Sequence, residues 1–482
     1  MNLLPDLNSS SIWKYFGEIT QIPRPSKHEE RIIDYLIEFA EKHNLPCKKD
    51  PIGNVLIAKP ASCGKESDEV FVLQSHVDMV CEKNAGVSHD FLTDPIKPYI
   101  DGEWVKATGT TLGADDGIGM AAMLAILSDT TLIHGPLECL FTVDEETGLT
   151  GAFELQDGFF TGKTLINLDS EDEGELYIGC AGGIDTKAIF DFTYQEIEGQ
   201  QKAFLVSVTG LQGGHSGDEI HKGFGNAVKI MTQLLWETYN TLGAGLNRFD
   251  GGNLKNAIPR EAFATIIVDN ENEKQFYSLL NQFTESKKKE FAQTDAGLSI
   301  SYDEIPTPDF KLDKKFQKAI LKALLDCPNG VIAWSKDIPG LVETSTNLAS
   351  VKFIDKKQVL ITTSQRSSVD SAKKELAKNV AQIFSIAGAQ IEHSKGYPGW
   401  TPNLNSKILS KTSVTYRLLF QTEPKIKAIH AGLECGLFLE KSGELDMISI
   451  GPTLRGVHSP NERLHIPSVE KFWQLLVEII KN

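Results

Sequence analysis

Histidine and acidic residues follow the ends of several short apolar segments of this sequence. The segments and the residues after them are VFVLQ with His76 and Asp78, CLFTV with Asp144, Glu145 and Glu146, TLINL with Asp169 and Glu171, and MISIGPTLRGV with His458. A further acidic pair, Asp115 and Asp116, precedes the segment GIGMAAMLAILSD. Imidazole and carboxylate groups are ligands of zinc and other borderline divalent cations. A carboxylate that is shared by two such cations gives the arrangement used in two-metal hydrolysis.

Two kinds of carboxylate in such a site have roles other than binding metal. A histidine that binds a metal usually donates its second N–H to a carboxylate. Asp78 is two residues from His76 and is well placed to accept that hydrogen bond. A carboxylate that lies near the metal without binding it can act as a general base toward water. The residue types therefore predict hydrolytic chemistry.

Each of these patterns has a structural explanation when it is taken alone. A His-x-Asp pair at a strand end is more often a surface pair, and adjacent glutamates usually form a solvated turn. Aspartates before a helix are favoured by the helix dipole. Together these patterns favour a functional site, because all of the histidine and acidic residues lie at predicted strand ends or helix starts.

The apolar segments predict the elements that position these side chains. NVLIA, EVFVLQ, LECLFTV and TLINL are typical of short buried strands, GIGMAAMLAILSD of a small-residue helix, and SKHEERIIDYLIEFAEKH of an amphipathic helix. Ser26 and Glu29 predict a capping box at the start of the amphipathic helix. Strands that alternate with helices indicate an α/β sheet covered on both faces. Ligands bind beyond the carboxyl ends of the strands in such sheets, so we expect the polar side chains to converge there.

The pattern changes after CAGGID and changes back near Tyr397. The intervening strands are predicted over KAFLVSVTGL, AFATIIVD, LSISYDEI and QVLITTSQRS, with helices over GNAVKIMTQLLWETYN and SAKKELAKNVAQIFSIAG. We therefore predict an α/β protein with a discontinuous catalytic domain, residues 1–183 and 398–482, whose mixed, mostly parallel sheet is flanked by helices. An α+β domain, residues 184–397, is inserted into it.

The composition excludes several kinds of partner. The 48 basic and 65 acidic residues give a formal net charge of −17, which argues against nucleic acid and anionic membranes as partners. Seven scattered cysteines with no C-x-x-C pair predict reduced thiols in a cytoplasmic protein. We expect neither a signal peptide nor a membrane span, because no stretch has the required pattern of charge and apolar length.

Several motifs together resemble a known family. SHVD, GADDGIG, DEETG, LDSE and GVHS resemble the motifs of the M20 metallopeptidases in order and spacing, and the resemblance covers nearly the whole chain. The longer phrases LGADDGIGMA, LDSEDEGELYIGCAGG, GGHSGDEIHKGFGNA, GGNLKNAIPREA and HAGLECGLF resemble one branch, the aminoacyl-histidine dipeptidases or bacterial carnosinases.

The resemblance implies a ligand set for two divalent cations per chain. His76 and Asp169 would hold one cation, Glu146 and His458 would hold the other, and Asp115 would bridge the two. Zinc is the expected metal, and manganese and cobalt also suit these ligands.

The resemblance also implies catalytic roles for three residues. Glu145 would be the general base that activates a metal-bridging water, and Asp78 would orient His76. The inserted domain would be a lid, from which His215 would steady the oxyanion, commonly in the site of a partner subunit. The family further implies a cis peptide bond between Asp115 and Asp116.

Three substrate-binding residues follow from the same resemblance. Asn256 and Arg366 would meet the C-terminal carboxylate of the substrate, and an arginine suits this task because its planar fork can donate two parallel hydrogen bonds. Glu434 would accept the free ammonium group.

The function implied is metal-dependent hydrolysis of unblocked dipeptides, Xaa-His substrates and β-Ala-His included, by a homodimer formed through the lid. A tripeptide aminopeptidase or an N-acyl amino acid deacylase could be built on the same metal core. A non-enzymatic scaffold that binds metal or a partner protein is a further alternative, which the intact set of ligands and base disfavours.

Overall fold

The computed structural model describes Leu7, residues 11–354 and residues 357–481. It divides into two compact units. The first unit comprises Met1–Cys180, Trp400–Ala428 and Leu433–Asn482, and the second comprises Ala181–Gly399 and Ile429–Gly432. The predicted boundaries differ from these by a few residues, and the short segment 429–432 was not predicted to leave the first domain. It joins the second unit because the N–H of Ala181 lies within hydrogen-bonding distance of the carbonyl oxygens of Ile429 and Ala431, at 3.1 and 2.9 Å.

The amino-terminal part of the first unit contains α1 (Ser11–Ile19), α2 (Glu30–Lys42), β1 (Cys47–Lys49), β2 (Val55–Lys59), β3 (Phe71–His76), β4 (Pro98–Asp101), β5 (Trp104–Ala107), α3 (Ala114–Ser128), β6 (Leu137–Thr142), α4 (Glu145–Gly148), α5 (Thr150–Glu154), β7 (Thr164–Asn167) and β8 (Glu175–Cys180).

The second unit contains β9 (Gly182–Asp191), β10 (Tyr194–Glu196), β11 (Gln201–Thr209), α6 (Ala227–Leu242), β12 (Gly245–Gly251), β13 (Ala262–Asp269), α7 (Glu273–Glu290), β14 (Ser299–Ile305), β15 (Phe310–Leu312), α8 (Lys314–Asp326), β16 (Gly330–Trp334), β17 (Val342–Phe353), β18 (Gln358–Ser367), α9 (Asp370–Ile386) and β19 (Gln390–His393), with 3₁₀ turns at Ile220–Lys222 and Asn270–Asn272.

The chain after the second unit forms α10 (Lys407–Phe420), β20 (Lys425–Ile429), α11 (Cys435–Ser442), β21 (Asp446–Ser449), β22 (Leu454–Arg455), β23 (Arg463–His465) and α12 (Ile466–Lys481).

The main sheet of the first unit has the order β1-β2-β6-β3-β7-β21-β8-β20. Its centre is parallel, because β3 pairs in parallel with β6 and β7, and β7 pairs in parallel with β21. Antiparallel pairs lie on either side of this centre. β3, β6 and β7 are buried along their whole length, as expected for strands covered on both faces. The predicted α/β fold class is confirmed.

A four-stranded antiparallel sheet, β22-β23-β5-β4, completes the first unit. It carries the turn between β22 and β23, on which His458 lies. This turn is therefore held by strands from both ends of the chain.

The helix α3 is made of small and apolar residues, and nearly all of it is buried. Two of its glycines are required by close contacts. A Cβ at Gly117 would lie 2.8 Å from Nη2 of Arg24, and a Cβ at Gly119 would lie 2.5 Å from the carboxylate oxygens of Asp116. The predicted cis peptide bond between Asp115 and Asp116 is present.

The predicted capping box at the start of α2 is wrong. Glu29 is the N-cap residue, and no side chain caps the helix. The hydroxyl of Ser26 donates instead to Oδ2 of Asp78 at 2.8 Å. One carboxylate oxygen of Glu29 accepts from the backbone N–H groups of Lys27 and Asp144. Both side chains thus serve contacts with distant residues, which outweigh the local pattern.

The second unit is built on a nine-stranded antiparallel sheet in the order β14-β11-β13-β12-β17-β18-β9-β19, with β16 beside β17. Alternate residues of its strands and the apolar faces of its helices form one buried core. Large members of this core are Phe190, Phe204, Phe249, Phe276 and Phe384. No helix among the residues described in either unit combines the length and the apolar character needed to cross a membrane.

Candidate active site

The predicted metal ligands of the first unit lie at the carboxyl ends of its central strands and on adjoining loops. His76 is the last residue of β3, and Asp169 lies two residues beyond the end of β7. Because β3 is parallel to β6 and β7, the ends of these strands are neighbours. Asp115 lies in the first turn of α3, and His458 lies on the turn between β22 and β23.

The chain turns sharply after β6 to present two glutamates. Asp144 has a left-handed backbone conformation with φ 49°, and its carboxylate accepts hydrogen bonds from the hydroxyls of Thr147 and Thr150. Glu145 and Glu146 then open α4. Asp144 therefore shapes the turn that directs these two carboxylates.

Two groups of potential ligands share Asp115. Its Oδ1 lies 3.1 Å from Nε2 of His76, which is 3.5 Å from Oδ1 of Asp169. Its Oδ2 lies 3.1 Å from Nε2 of His458, which is 3.0 Å from Oε2 of Glu146. Within each group of three residues, one ligand atom per residue lies within 4.8 Å of the others. The two oxygens of one aspartate thus face two separate ligand groups.

The chemistry of these donors fits two divalent cations. Oε1 of Glu146 is buried and has no hydrogen-bond partner among the described residues. Burial raises the pKa of Asp169 well above its usual range, and the charges of Asp115 and Asp116 add to this effect. Hydrogen bonds to Asp115 and Glu146 raise the pKa of His458 to about 11. Without cations, Asp169 and His458 therefore favour their protonated forms, and bound cations would displace these protons.

Glu145 lies beside both ligand groups. Burial raises its pKa well above the usual range, and although His76 opposes the shift, Asp169 and Glu146 add to it. Its backbone N–H donates to Oδ1 of Asp78 at 3.0 Å, which fixes the start of α4. A carboxylate with raised proton affinity is suited to accept a proton and to return it.

Asp78 is fully buried and joins several parts of the site. Its Oδ1 lies 3.3 Å from Nδ1 of His76, on the side of the ring opposite the nitrogen that faces Asp115. It also accepts from the hydroxyl of Ser26 and from the backbone N–H of Glu146. These contacts suit a residue that orients a ligating imidazole.

Replacing Asp78 with alanine is expected to weaken metal binding, because the ring of His76 would lose its orienting partner. Loss of such a partner typically lowers metal affinity roughly 10–100-fold. Competition with a fluorescent chelator measures the change. The exposed Asp157→Ala variant is the control and should bind metal as the unmodified protein does. Equal affinities in both variants would contradict the orienting role of Asp78.

Glu434 lies at the start of α11 and is buried in the first unit. Its Oε2 accepts from Nε2 of Gln74 at 2.6 Å and from Oγ1 of Thr142 at 2.9 Å, while Oε1 has no hydrogen-bond partner in the described part of the chain. Burial raises the pKa of Glu434 to about 7. Its charge contributes to the raised pKa of Glu145, so the two carboxylates belong to one site.

In the second unit, His215 and Asn256 lie on two loops that contact each other. The N–H of Ser216 donates to the carbonyl of Asn256 at 2.8 Å, and the N–H of Ile258 donates to the carbonyl of Gly214 at 2.9 Å. Oε2 of Glu219 accepts from the backbone N–H of His215 at 2.9 Å. The structure thus brings these two predicted residues into one loop pair.

Arg366 lies on β18 and donates from Nη1 to the hydroxyl of Tyr397 at 2.9 Å. Its Nε is buried without a hydrogen-bond partner in the described residues. Asp218, on the His215 loop, interacts electrostatically with both His215 and Arg366. Its Oδ2 is 3.2 Å from Nδ1 of His215. Its pKa is lowered even though burial opposes ionisation, because His215 and then Arg366 stabilise the carboxylate.

Comparison with known protein families matches residues 72–482 to peptidase family M20/M25/M40. The chain belongs to this family. The peptidase is 45% identical over 482 residues to the cytosol non-specific dipeptidase of Escherichia coli (strain K12), and the alignment covers 100% of this chain and 99% of that protein.

Solved structures include the aminoacylhistidine dipeptidase of Vibrio alginolyticus, which matches the peptidase with a TM-score of 0.92 and 42% identity, covering 100% of this chain and 98% of that one. A tripeptidase from Staphylococcus aureus matches with a TM-score of 0.57 and 17% identity, covering 98% and 97% of the two chains. The second likeness concerns the fold alone. The predicted family membership is confirmed, and the peptidase is a peptide-bond hydrolase.

Sequence reasoning missed the amide side chains beneath the site. Nδ2 of Asn167 donates to Oε1 of Gln74 at 2.6 Å, and Gln74 in turn holds Glu434. Oδ1 of Asn167 accepts from the backbone N–H of Asp169 at 3.3 Å. A buried chain of amides therefore connects Glu434 to the loop of a predicted ligand. The only signal was the presence of two polar residues inside otherwise apolar strand segments.

A buried histidine of the second unit predicts an acid-sensitive stability. Nε2 of His430 contacts Oγ of Ser345 at 2.7 Å. Burial, with help from the charge of Arg366, lowers the pKa of His430 from 6.5 to about 3. Between these two values the unfolded chain binds a proton that the folded chain does not, so stability is lost as the pH falls.

In the His430→Gln variant, the urea midpoint should therefore fall less between pH 6.5 and pH 3 than it does in the unmodified peptidase. Circular dichroism at a series of pH values measures the midpoints. Replacement of the exposed His393 by glutamine is the control. An unchanged acid slope in the His430 variant would show that another group causes the acid sensitivity.

Proposed function

We propose that this peptidase hydrolyses unblocked dipeptides, with Xaa-His substrates such as β-Ala-His among them, and uses two divalent cations. The observation that carries the proposal is the pair of ligand groups that share Asp115, with Glu145 beside them. His76 and Asp169 would hold one cation, and Glu146 and His458 would hold the other. The imidazole and carboxylate donors support zinc, and manganese or cobalt would also be accepted.

When bound, the cations would polarise the scissile carbonyl and acidify a water molecule. Glu145 takes the proton from the attacking water at its carboxylate and gives it to the leaving amine as the peptide bond breaks. Asp78 keeps the ring of His76 in the orientation that directs Nε2 toward Asp115.

The proposed lid residues act on the substrate. His215 donates to the oxyanion that forms at the scissile carbon, and Asp218 fixes the direction of its ring. Arg366, whose Nε has no partner in the described chain, receives the C-terminal carboxylate together with Asn256. Glu434, with one oxygen unpartnered among the described residues, accepts the free ammonium group. These two roles call for a substrate with a free amine and a free carboxylate, as an unblocked dipeptide has.

The substrate class is supported by two relatives, because the Escherichia coli protein at 45% identity and the Vibrio alginolyticus protein at 42% identity each carry the name of a dipeptidase. One name specifies aminoacylhistidine substrates, and the other specifies no side chain. Cleavage of Xaa-His dipeptides and cleavage of other dipeptides are therefore two properties that need separate measurements. We propose that Xaa-His dipeptides are substrates. A cytoplasmic location is supported by the name of the Escherichia coli relative and by seven cysteines that form no disulfide within the described part of the chain.

A substrate panel tests the function. Purified peptidase, with its metal content measured, is given Gly-His, β-Ala-His, Gly-Gly-His and an N-acetylated amino acid, before and after treatment with a chelator. We expect cleavage of the two dipeptides, loss of cleavage on chelation, and recovery when zinc or manganese is added. Preferred cleavage of the tripeptide would support an aminopeptidase instead, and preferred cleavage of the acetylated compound would support a deacylase. Bound metal without any hydrolysis would favour the scaffold alternative.

We further propose a homodimer formed through the second unit, on the basis of the resemblance of its GGHSGDEIHKGFGNA segment to the dipeptidase branch. Sedimentation equilibrium gives the mass in solution. If the peptidase is dimeric, mixing a Glu145 variant with a His215 variant tests whether His215 acts on the partner's site. Activity that returns in the mixture indicates action across the dimer.

A further inference from the structure

We propose that Glu462 is a positioning residue that sets the backbone of residues 112–115, so that Asp115 presents one oxygen to each of the two ligand groups. This inference rests on the proposed function, because it concerns the bridging role of Asp115. None of the catalytic or substrate-binding roles described above involves Glu462.

The carboxylate of Glu462 receives the backbone N–H groups of four successive residues. Its Oε2 accepts from Leu112 at 2.7 Å and from Gly113 at 3.1 Å, and its Oε1 accepts from Ala114 at 2.7 Å and from Asp115 at 3.4 Å. These amides belong to the end of the loop before α3 and to the first two residues of that helix. One carboxylate therefore determines the path of the chain directly before the shared aspartate.

Glu462 lies on the same turn as His458. The N–H of Glu462 donates to the carbonyl of Ser459 at 3.0 Å, which closes the turn. His458 has a left-handed backbone with φ 60°, and its Nε2 lies 3.1 Å from Oδ2 of Asp115. The turn thus contacts Asp115 at two points. His458 faces the carboxylate of Asp115, and the carboxylate of Glu462 accepts from the backbone N–H of Asp115. A shift of the turn would move a ligand and the bridging carboxylate together.

A buried arginine completes the arrangement. Nη1 of Arg24 donates to the carbonyl oxygens of Val77 and Asp78 at 2.8 and 2.6 Å, and its Nη2 donates to the carbonyl of Gly113. The Arg24 guanidinium also attracts the carboxylate of Glu462. Glu462 therefore holds the loop before Asp115 at its N–H groups, and Arg24 holds it at the carbonyl of Gly113. Arg24 also fixes the chain directly after His76.

The two acceptor oxygens of Glu462 matter to this arrangement as much as its shape. Glu462 is 3% exposed, and a buried carboxylate needs hydrogen-bond donors around it to remain ionised. Four backbone N–H groups supply them, and the charge of the Arg24 guanidinium adds electrostatic attraction. A glutamine has nearly the same shape but offers one oxygen and an NH₂ group, so at least two of the N–H groups would face a donor instead of an acceptor.

The test compares Glu462→Gln with a matched variant, Glu138→Gln. Glu138 is 8% exposed. It accepts from the N–H groups of Thr161 and Gly162 at 2.7 and 2.9 Å, at the opposite end of the strands from the ligands. Each variant replaces a buried carboxylate that accepts hydrogen bonds from backbone N–H groups, so both should lower the thermal midpoint of the metal-free protein. Only the Glu462 variant should bind Zn²⁺ and Mn²⁺ more weakly, by roughly 10–100-fold.

Two further measurements separate positioning from general destabilisation. In the protein loaded with Mn²⁺, electron paramagnetic resonance reports the coupling of the two ions through a bridge, which should weaken in Glu462→Gln and persist in Glu138→Gln. In the metal-free protein, hydrogen exchange at the amides of 112–115 should become faster only in the Glu462 variant. Glu462→Asp, which keeps the charge on a shorter side chain, should recover part of the metal affinity.

Folded Glu462→Gln with unchanged metal affinity and unchanged coupling would overturn the inference. So would an equal loss of affinity in the Glu138 control. If Glu462→Gln does not fold, the comparison of Glu462→Asp with Glu138→Gln decides by the same readouts. Failure of the proposed function appears differently, as an unmodified protein that binds no pair of ions. The exchange rates at 112–115 would then still test whether Glu462 holds this loop.

Discussion

Replacing Glu145 with glutamine should lower kcat toward β-Ala-His by roughly 10²–10⁴-fold, the usual contribution of a general acid–base group. The amide has nearly the same shape but cannot accept the proton of the attacking water. Metal binding should persist, because each of the two ligand groups around Asp115 is complete without Glu145. Steady-state kinetics, with metal content measured on the same sample, tests both expectations.

The matched control for this prediction is Glu154→Gln, an exposed glutamate on α5 nearby in the sequence. It should leave both kcat and metal content unchanged. Near-normal turnover by the Glu145 variant would remove the residue from the mechanism. A large loss of metal from the variant would reassign Glu145 as a ligand. This outcome has a structural basis, because Glu145 also lies in a third group of potential ligands with His76 and Glu146.

Replacing Asp115 with alanine should remove both cations and, with them, nearly all activity. The reason is geometric, since Oδ1 faces His76 and Oδ2 faces His458. No other residue of either ligand group is shared in this way. Elemental analysis should find far fewer than the roughly two cations expected for a two-metal site.

The control for this variant is Asp50→Ala. Asp50 is another buried aspartate of the first unit, and it accepts hydrogen bonds from the backbone N–H groups of Gly53 and Asn54. Its loss should destabilise the fold while leaving the metal content intact. Retention of one tightly held cation in Asp115→Ala would show that the two sites are independent, and that Asp115 is a ligand of only one of them.

Much of the site could be predicted from the sequence because the pattern of apolar residues locates the strands and therefore their ends. A short apolar run predicts a buried strand, and parallel strands place their carboxyl ends at one edge. The positions of His76, Asp169 and Glu146 follow from this rule, and their convergence in the structure agrees with it. The family resemblance added what periodicity does not contain, namely the cis bond between Asp115 and Asp116.

The interactions that could not be predicted link residues far apart in sequence without any repeating pattern. Ser26 and Glu29 match a local helix signal, yet they bond to Asp78 and Asp144. Glu462 reaches amides about 350 positions earlier in the chain, and backbone N–H groups carry no sequence signal. Buried polar contacts of this kind depend on the packing of the whole unit, which local propensities do not encode.

The position of β21 has a consequence for the order of events during synthesis of the chain. This strand, Asp446–Ser449, lies in the sheet between β7 and β8, pairing with the first in parallel and with the second in the opposite sense. Ribosomes deliver β7 and β8 long before β21, with the whole second unit between them. The sheet therefore has a gap between β7 and β8 until residues 446–449 have been made, after the whole second unit. His458, a proposed ligand of the second cation, follows β21 in the chain, so the proposed metal centre can be assembled only after this strand has been made.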